Sequence, residues 1–164
     1  CSWCDTDFSK WDKMTVSEIM AVLSKWDTKR VIFTGGEPAM QKLRPLSDEL
    51  HSKGYNIAIE TNGTIELEEG LVDWICVSPK DMLYPEFSIK QRKGNELKVV
   101  YTGQDLGMYD NLKDGFENLF LQPCYDEAKD PGTNGKTFHS TFDMVMQNPG
   151  WNLSLQTHKW MGVD

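Results

Sequence analysis

Short β-rich runs alternate with helical patterns along the 164 residues of this chain, and this alternation most constrains its fold. Strands joined through helical crossovers pair in parallel, so the chain is predicted to be an α/β protein with a mostly parallel sheet. The helical patterns are at 15–26, 43–53 and 137–147. The predicted strands are 30–34, 56–60, 74–78, 96–101, 118–122 and 152–155.

The connections between the predicted strands are short in the middle of the chain. Residues 74–122 are too few for a long helix at every crossover, so we expect a partial βα barrel, reduced and open. The polar stretch 124–135, which contains Pro131 and two glycines, is predicted to be a surface lid or insertion. The whole chain, 1–164, is predicted to form a single domain, since its length supports one hydrophobic core.

The composition argues against several functions. The formal net charge is −8, from 17 basic and 25 acidic residues, which disfavours binding to a nucleic-acid backbone. No apolar stretch approaches the roughly 20 residues that a membrane helix needs. The cysteines at 1, 4, 76 and 124 form no regular disulfide framework, which indicates a reduced, cytoplasmic protein. We therefore expect neither nucleic acid nor a membrane as a partner.

Five of the predicted strands end in small, polar or basic residues. Ligand sites in α/β folds collect at the carboxyl ends of parallel strands, so these ends together predict one shared pocket. Gly35 and Gly36 would let the backbone approach a ligand, although a plain strand-to-helix turn also explains them. The segments after the five strands are GGEP at 35–38, TNG at 61–63, PK at 79–80, PC at 123–124 and THK at 157–159.

The residues at these strand ends differ in how strongly they indicate function. Glu60 ends an otherwise apolar strand, and a carboxylate in that position needs a partner. The pair 62–63, Asn-Gly, is also typical of a turn. Lys80 is equally explained as a solvated residue after a turn, and His158 as a structural histidine. Ahead of the first strand, Thr15 and Glu18 have the spacing of a capping box, which marks a helix start.

The chain opens with CSWC, in which Cys1 and Cys4 have the spacing of a metal or redox site. Three interpretations remain open from these residues. A zinc knuckle needs two more ligands, and a thioredoxin-like dithiol should lie between a strand and a helix. An iron–sulfur motif would have its first cysteine upstream. Cys76, inside an apolar strand, and Cys124 are expected to be structural cysteines.

Taken together with GGEP, the CSWC segment resembles the radical S-adenosylmethionine (SAM) superfamily, whose members bind a [4Fe–4S] cluster through C-x₃-C-x₂-C. The full series of motifs is similar to the 7-carboxy-7-deazaguanine synthase family of queuosine biosynthesis. The motifs occur in the family's order, from residue 1 to the end of the chain. They are CDTDF, FTGGEP, ETNGT, VSPK, ELKVV, LQP and LSLQTHKWMG.

The resemblance implies a radical SAM lyase with a partial barrel of the radical SAM type. Such an enzyme converts 6-carboxy-5,6,7,8-tetrahydropterin to 7-carboxy-7-deazaguanine and ammonia, with the cluster, SAM and Mg²⁺ as cofactors. By the matching motif, Cys1 and Cys4 would bind the cluster and Thr6 would bind Mg²⁺. The resemblance also implies an external electron donor such as flavodoxin, a homodimer and a cytoplasmic location.

The same resemblance assigns ligand contacts residue by residue. A carboxylate such as Glu60 would accept paired hydrogen bonds from the guanidine-like edge of the pterin. Gly36 would contact the amino group of SAM. The expected substrate contacts are Thr34, Glu60, His158 and Asp164. The residues expected to flank the rest of SAM are Ser78, Pro79, Lys80, Gln122 and Pro123.

One departure from the family's pattern concerns the start of the sequence. The family's first roughly forty residues, with the first strand and the first cluster cysteine, are absent ahead of Cys1. Three thiolates leave one iron open for SAM and two cannot, so this chain alone is predicted to be inactive. Two alternatives stay open: another radical SAM enzyme, such as a glycyl-radical-enzyme activase, and a non-catalytic zinc- or thiol-containing α/β module.

Overall fold

Two compact units, Cys1–Gln91 and Arg92–Asp164, make up the chain. The computed structural model describes residues 11–80, 88–126 and 129–161. Each unit contains three strands that pair in parallel, with helices beside them. Within the described ranges, no helix is long and apolar enough to cross a membrane.

The first unit is built on strands β1 (Arg30–Phe33), β2 (Asn56–Thr61) and β3 (Trp74–Val77). Strand β2 lies between the other two and pairs in parallel with both. Helix α1 (Val16–Leu23) precedes β1, and a 3₁₀ turn followed by helix α2 (Arg44–Ser52) connects β1 to β2. The strands are rich in β-branched residues, which suit a pleated and partly buried surface.

Alternate residues of the strands form the core of the first unit. Ile57 and Ile59 of β2 are fully buried and pack in one cluster with Leu50 of α2. Ala58 and Glu60 alternate with them, so they lie on the opposite face and are half-buried. Because side chains alternate along β2, one face of the strand packs against the helix and the other face carries the polar Glu60. The buried members of the cluster are Phe33, Leu43, Leu50, Tyr55, Ile57, Ile59 and Leu71.

The helices of the first unit begin and end at local signals. The backbone N–H of Glu18 donates to the Thr15 hydroxyl at 3.3 Å, and the Thr15 N–H donates to the Glu18 carboxylate at 2.7 Å. These bonds confirm the predicted capping box, and the backbone bond to Thr15 lowers the pKa of Glu18. Helix α1 ends at Leu23, three residues before the predicted end. Helix α2 stops ahead of Gly54, whose φ of +74° suits a helix end.

The second unit repeats the parallel arrangement with strands β4 (Gly94–Tyr101), β5 (Phe116–Pro123) and β6 (Asn152–Leu153). A 3₁₀ turn and the four-residue helix α3 (Asp110–Lys113) connect β4 to β5. Helix α4 (Pro131–Gln147) connects β5 to β6, and helix α5 (Thr157–Met161) follows β6.

Aliphatic and aromatic side chains fill the interior of the second unit. Leu97 and Val99 of β4 and Leu121 of β5 are buried on the inward face of their strands. Tyr109 and Trp151, both buried, meet edge to face with ring centroids 6.2 Å apart. This T-shaped arrangement is one of the two that aromatic pairs prefer. Through this pair, Tyr109 in the connection between β4 and β5 packs against Trp151, the residue before β6.

Helix α4 begins at Pro131, so the predicted surface loop at 124–135 is wrong from residue 131 onwards. The helix predicted at 137–147 is correspondingly too short. Asp130 caps α4 by accepting hydrogen bonds from the hydroxyl and the N–H of Thr133, at 2.6 and 3.0 Å. These bonds lower the pKa of Asp130. Proline suits the first turn of a helix, which explains why a proline that indicated a loop in fact starts a helix.

A buried asparagine joins the start of α4 to the chain ahead of it. The side-chain amide of Asn134 donates to the carbonyl of Asp126 at 2.9 Å, and its oxygen accepts from the Asp126 N–H at 3.0 Å. Asn134 is 3% exposed, so both of its polar atoms need such partners. The segment around Asp126 is therefore held to the helix by a reciprocal pair of bonds.

Parallel pairing in both units confirms the predicted α/β class with mostly parallel strands. Each predicted strand has an observed counterpart with ends that differ by at most two residues. β4 and β5 each begin two residues earlier than predicted, and β6 ends two residues earlier. The connection from β4 to β5 contains only a 3₁₀ turn and the four-residue α3. It therefore has no long helix, as expected for a crossover within residues 74–122.

Gly115 allows a test of how tightly the chain packs ahead of β5. A Cβ at this position would overlap the carbonyl oxygen of Arg92, a backbone atom that cannot rotate away. We expect Gly115→Ala to lower the free energy of unfolding by about 1–3 kcal/mol, the usual range for overpacking. Chemical denaturation measures this change. Gly150→Ala is the matched control, because nothing lies within 4 Å of its Cβ position. Equal losses in the two variants would contradict the interpretation.

Candidate functional site

The carboxyl ends of β1, β2 and β3 lie side by side at one edge of the first unit. We call this edge, made of residues 34–37, 60–63 and 78–80, the polar edge. Phe33 of β1 is opposite Ile59 of β2. The next residues along the chain are Thr34, just past the end of β1, and Glu60, the next residue of β2. Thr34 is exposed and Glu60 is half-buried. Two of the residues that the sequence predicts as substrate contacts therefore lie at neighbouring strand ends.

The carboxylate of Glu37 bridges the ends of β1 and β2. Its Oε1 accepts from the N–H of Ala39 at 3.0 Å and from the hydroxyl of Thr61 at 2.7 Å. Its Oε2 accepts from the N–H of Asn62 at 2.7 Å. Neither Glu37 nor Thr61 is among the site residues predicted from the sequence. A charged residue next to two glycines was the available signal, but its partners could not be identified from spacing alone.

Thr61 extends this bridge to the end of β3. Its hydroxyl accepts from the N–H of Gly63 at 3.1 Å, and its carbonyl accepts from the N–H of Ser78 at 2.8 Å. The Ser78 hydroxyl in turn accepts from Lys80 Nζ at 2.6 Å. Thr61 is 2% exposed, so its polar atoms must find partners inside the protein. Hydrogen bonds therefore connect all three strand ends of the first unit.

The turn after β2 is built for close packing. Gly63 has a φ of +79°, and a Cβ there would lie 2.7 Å from Val77 Cγ1. The side-chain oxygen of Asn62 accepts from the N–H of Thr64 at 2.9 Å and from its hydroxyl at 2.7 Å. The carbonyl of Gly63 accepts from the N–H groups of residues 90 and 91. The predicted turn at 62–63 is present, and it is held rigidly against its neighbours.

The Gly35–Gly36 segment differs from that turn because it faces open space. Gly35 has a φ of +121°, and no atom lies within 4 Å of the position a Cβ would take. Gly36 is exposed. Packing against a neighbour therefore does not explain the glycine at 35, although its backbone angle does. The exposed backbone can offer N–H and C=O groups to a bound molecule.

The polar edge carries both signs of charge beside this open backbone. Half-buried Glu60 contributes a carboxylate, and half-buried Lys80 contributes an ammonium group. Backbone carbonyls near Gly36 and the ammonium of Lys80 suit the two ends of a zwitterionic amino acid. The Glu60 carboxylate suits a ring edge with adjacent N–H donors. The donor set at this edge fits an amino-acid group and a nitrogen-rich ring.

Three predicted site residues lie in the second unit. Gln122 and Pro123 end β5, where Gln122 is half-buried and Pro123 is buried. They are opposite Val100 and Tyr101 of β4. His158 is exposed and lies in helix α5, which follows β6. All three therefore occur at or after the carboxyl end of a parallel strand, the kind of position that the sequence predicts for ligand contacts.

The predicted metal ligands and one predicted substrate contact lie outside the described residues. They are Cys1, Cys4, Thr6 and Asp164. Within residues 11–80, 88–126 and 129–161, no group of three or more His, Cys, Asp or Glu side chains is placed to hold a metal ion. Pro79, another predicted contact, is buried between Ser78 and Lys80 in the chain.

The relatives found by comparison with known proteins carry the same enzyme name. No protein-family model matches the chain. The 7-carboxy-7-deazaguanine synthase of Bacteroides thetaiotaomicron is 41% identical over 163 residues, which cover 99% of this chain and 81% of that protein. The synthase of Burkholderia multivorans is 36% identical, covering 99% and 78%. The crystal structure of QueE from Escherichia coli is similar with a TM-score of 0.71 and 26% identity, covering 95% of this chain and 79% of that one.

The reactivity of Cys124 follows from its surroundings. Burial raises the pKa of its thiol, because the thiolate is poorly solvated there. A raised pKa leaves less thiolate at a given pH, so iodoacetamide at pH 8 should alkylate Cys124 several-fold more slowly than a cysteine in a short peptide. The rate should rise as the pH is raised further, and unfolding in urea should restore the peptide's rate. Mass spectrometry follows the modification. Alkylation of the folded protein at the peptide's rate would contradict the structural assignment of this cysteine.

Proposed function

The chain belongs to the 7-carboxy-7-deazaguanine synthase family, and from this premise we propose that it is a radical SAM lyase of queuosine biosynthesis. Its reaction converts 6-carboxy-5,6,7,8-tetrahydropterin to 7-carboxy-7-deazaguanine and ammonia. Family membership confirms the resemblance drawn from the motifs. It also confirms the predicted fold class, a reduced and open βα barrel of the radical SAM type.

The observation that carries the proposed reaction is the arrangement of the polar edge. Three motif segments, GGEP, ETNG and SPK, meet there through the hydrogen bonds of Glu37, Thr61 and Ser78. Packing alone does not require polar groups to gather at one partly exposed edge, whereas a ligand pocket does. The residues of the edge match the chemistry of the two organic ligands that the reaction needs.

SAM would bind along the loops after the strands. The exposed backbone at Gly36 suits the SAM amino group, because no side chain blocks its approach. Lys80 and Ser78, joined by a hydrogen bond, would flank the same molecule. Gln122 and the residue after it would meet the adenosine. The proposed SAM contacts are Gly36, Ser78, Pro79, Lys80, Gln122 and Pro123.

The pterin would bind at the Thr34–Glu60 pair. Glu60 would accept two N–H groups of the pterin's guanidine-like edge, a paired arrangement that carboxylates favour. Thr34, the neighbouring exposed hydroxyl, would add a further polar contact. We include His158 and Asp164 as substrate contacts by their match to the family's motif at the end of the chain. These residues would bind and orient the ring while closing water out of the site.

Cys1 and Cys4 would be two of the thiolate ligands of the [4Fe–4S] cluster, and Thr6 would offer a hard oxygen ligand to Mg²⁺. When bound, the reduced cluster and SAM supply the radical that removes a hydrogen atom from the substrate. The protein's own contribution is to position the substrate and exclude water.

The proposed partners follow from this chemistry. An external one-electron donor such as flavodoxin would reduce the cluster, and we propose a homodimer in the cytoplasm. The net charge of −8 supports a partner set without nucleic acid. We also propose that both units belong to one radical SAM core domain.

An anaerobic assay of the protein made from its complete gene tests the function. The protein is reconstituted with iron and sulfide and mixed with SAM, dithionite, Mg²⁺ and 6-carboxytetrahydropterin. We expect mass spectrometry to detect 5′-deoxyadenosine and 7-carboxy-7-deazaguanine together. Deoxyadenosine without the deazaguanine would retain radical SAM chemistry and refute the proposed substrate. Neither product, from protein shown to hold a full cluster, would refute the enzyme.

Glu60→Gln tests the proposed contact with the pterin. An amide keeps the shape of the side chain but turns N–H donors towards the ring's own donors, so paired recognition is lost. We expect the KM for the pterin to rise about 10-fold to 100-fold, as for loss of a charged hydrogen bond. The affinity for SAM should stay within about twofold of wild type, which serves as the internal control. A KM for the pterin that does not change would contradict this role.

A further inference from the structure

The carboxylate of Glu37 is half-buried and joins two strand ends that carry different ligand contacts. Its two backbone donors bind different oxygens, since Ala39 N–H donates to Oε1 and Asn62 N–H donates to Oε2. The Thr61 hydroxyl adds a third hydrogen bond, to Oε1. Bonds to a charged acceptor in a partly buried position are stronger than neutral bonds in water. These three hydrogen bonds therefore fix the segment after β1 to the end of β2.

We propose that Glu37 is a positioning residue that holds the SAM-binding loop and the substrate-binding strand in one fixed register. The proposal rests on the proposed function, because it uses the contacts assigned to Gly36 and Glu60. Gly36 immediately precedes Glu37, and Glu60 immediately precedes Thr61. Glu37 thus follows a proposed SAM contact in the sequence, and its carboxylate accepts a hydrogen bond from Thr61, which follows a proposed substrate contact.

The effect of Glu37 extends to the third strand end. The carbonyl of Thr61 accepts from the N–H of Ser78, and the hydroxyl of Ser78 accepts from Lys80 Nζ. A shift of Thr61 would therefore also move residues proposed to flank SAM. Small displacements of positioned groups reduce rates strongly, since about 1 Å is enough for a loss on the order of 100-fold.

The arrangement requires a carboxylate rather than any polar side chain. Two backbone N–H groups, which cannot be rotated away, point at two separate oxygens. Glutamine has the same shape but one acceptor oxygen, so one of these N–H groups would lose its acceptor. Thr61, by contrast, can rotate its hydroxyl to suit either side chain. Glu37→Gln therefore removes one of these two backbone bonds and leaves the packing in place.

Kinetics of Glu37→Gln in the full-length, cluster-loaded protein test the proposal. We expect kcat/KM to fall about 10-fold to 100-fold, with raised KM values for both SAM and the pterin. Glu66→Gln is the matched control, because Glu66 is exposed, follows the same turn and lies outside this network. The control should keep wild-type constants.

Hydrogen exchange on the protein without its cluster gives a readout independent of activity. In the Gln variant the amide of either Ala39 or Asn62 loses its acceptor, so a peptide that contains one of them should exchange about tenfold faster than in wild type. Peptides from α2 should exchange at an unchanged rate. Faster exchange across the whole unit would indicate general loosening and count against a positioning role.

The possible results distinguish a failure of the positioning role from a failure of the proposed function. A lower unfolding temperature with unchanged KM values for both ligands would give Glu37 a purely structural role and overturn the proposal. A wild-type protein that forms no product would instead refute the proposed function. In that case the exchange of the Ala39 and Asn62 amides still decides whether the carboxylate holds the turn.

If Glu37→Gln does not fold, two variants of Thr61 test the same proposal. Thr61→Val removes the hydroxyl that donates to Glu37 and accepts from Gly63, whereas Thr61→Ser keeps it. We expect the Val variant to raise both KM values about tenfold and the Ser variant to restore them to near wild type. Equal KM values in the two variants would show that the hydroxyl network does not position the ligands, and would overturn the proposal.

Discussion

The hydrogen bond between Thr61 and Glu37 is the interaction on which the polar edge of the first unit depends. Parallel pairing aligns the carboxyl ends of strands but leaves the loops beyond them unspecified. Backbone pairing ends at Phe33 in β1 and at Thr61 in β2. Past those residues, Glu37 joins the two segments, because its carboxylate bonds both its own 3₁₀ turn and the end of β2. The bonds of Glu37 therefore fix the chain just after Gly35 and Gly36, while both glycines stay exposed.

Strand alternation explains how a charged edge and an apolar core coexist in so small a unit. Ile57 and Ile59 face α2, whereas Glu60 lies on the other face. A slip of one residue would turn Glu60 towards the helix and expose the isoleucines, so the core strongly specifies the register of β2. The same register aligns the end of β1 with β2, so Thr34 and Glu60 follow directly after a paired set of residues. Burial of apolar side chains thus determines where the polar groups of the site lie, although none of those side chains is part of it.

The elements and residues that could be predicted are those whose signals are local. Strands, caps and the aligned strand ends follow from residues close together in the sequence. The start of α4 could not be predicted, because Pro131 and two glycines indicate a loop, and the bonds of Asn134 to the preceding segment are made only on folding. Two of the three partners of Glu37, Thr61 and Asn62, lie 24 and 25 residues away in the sequence, so they depend on the strand register. For the same reason, spacing alone does not predict Thr61 as a partner of Glu37.

A turn and a ligand site are not competing explanations of the segment after β2. Asn62 bonds Thr64 and Gly63 packs against Val77, which are the features of a rigid turn. The same turn directs its first N–H to Glu37, beside the open glycine segment. A site needs rigid support, so local turn chemistry serves it. Residues that make a stable turn are also those that let a backbone approach a ligand. Relations among several strand ends therefore distinguish a pocket from a loop, whereas no single motif can.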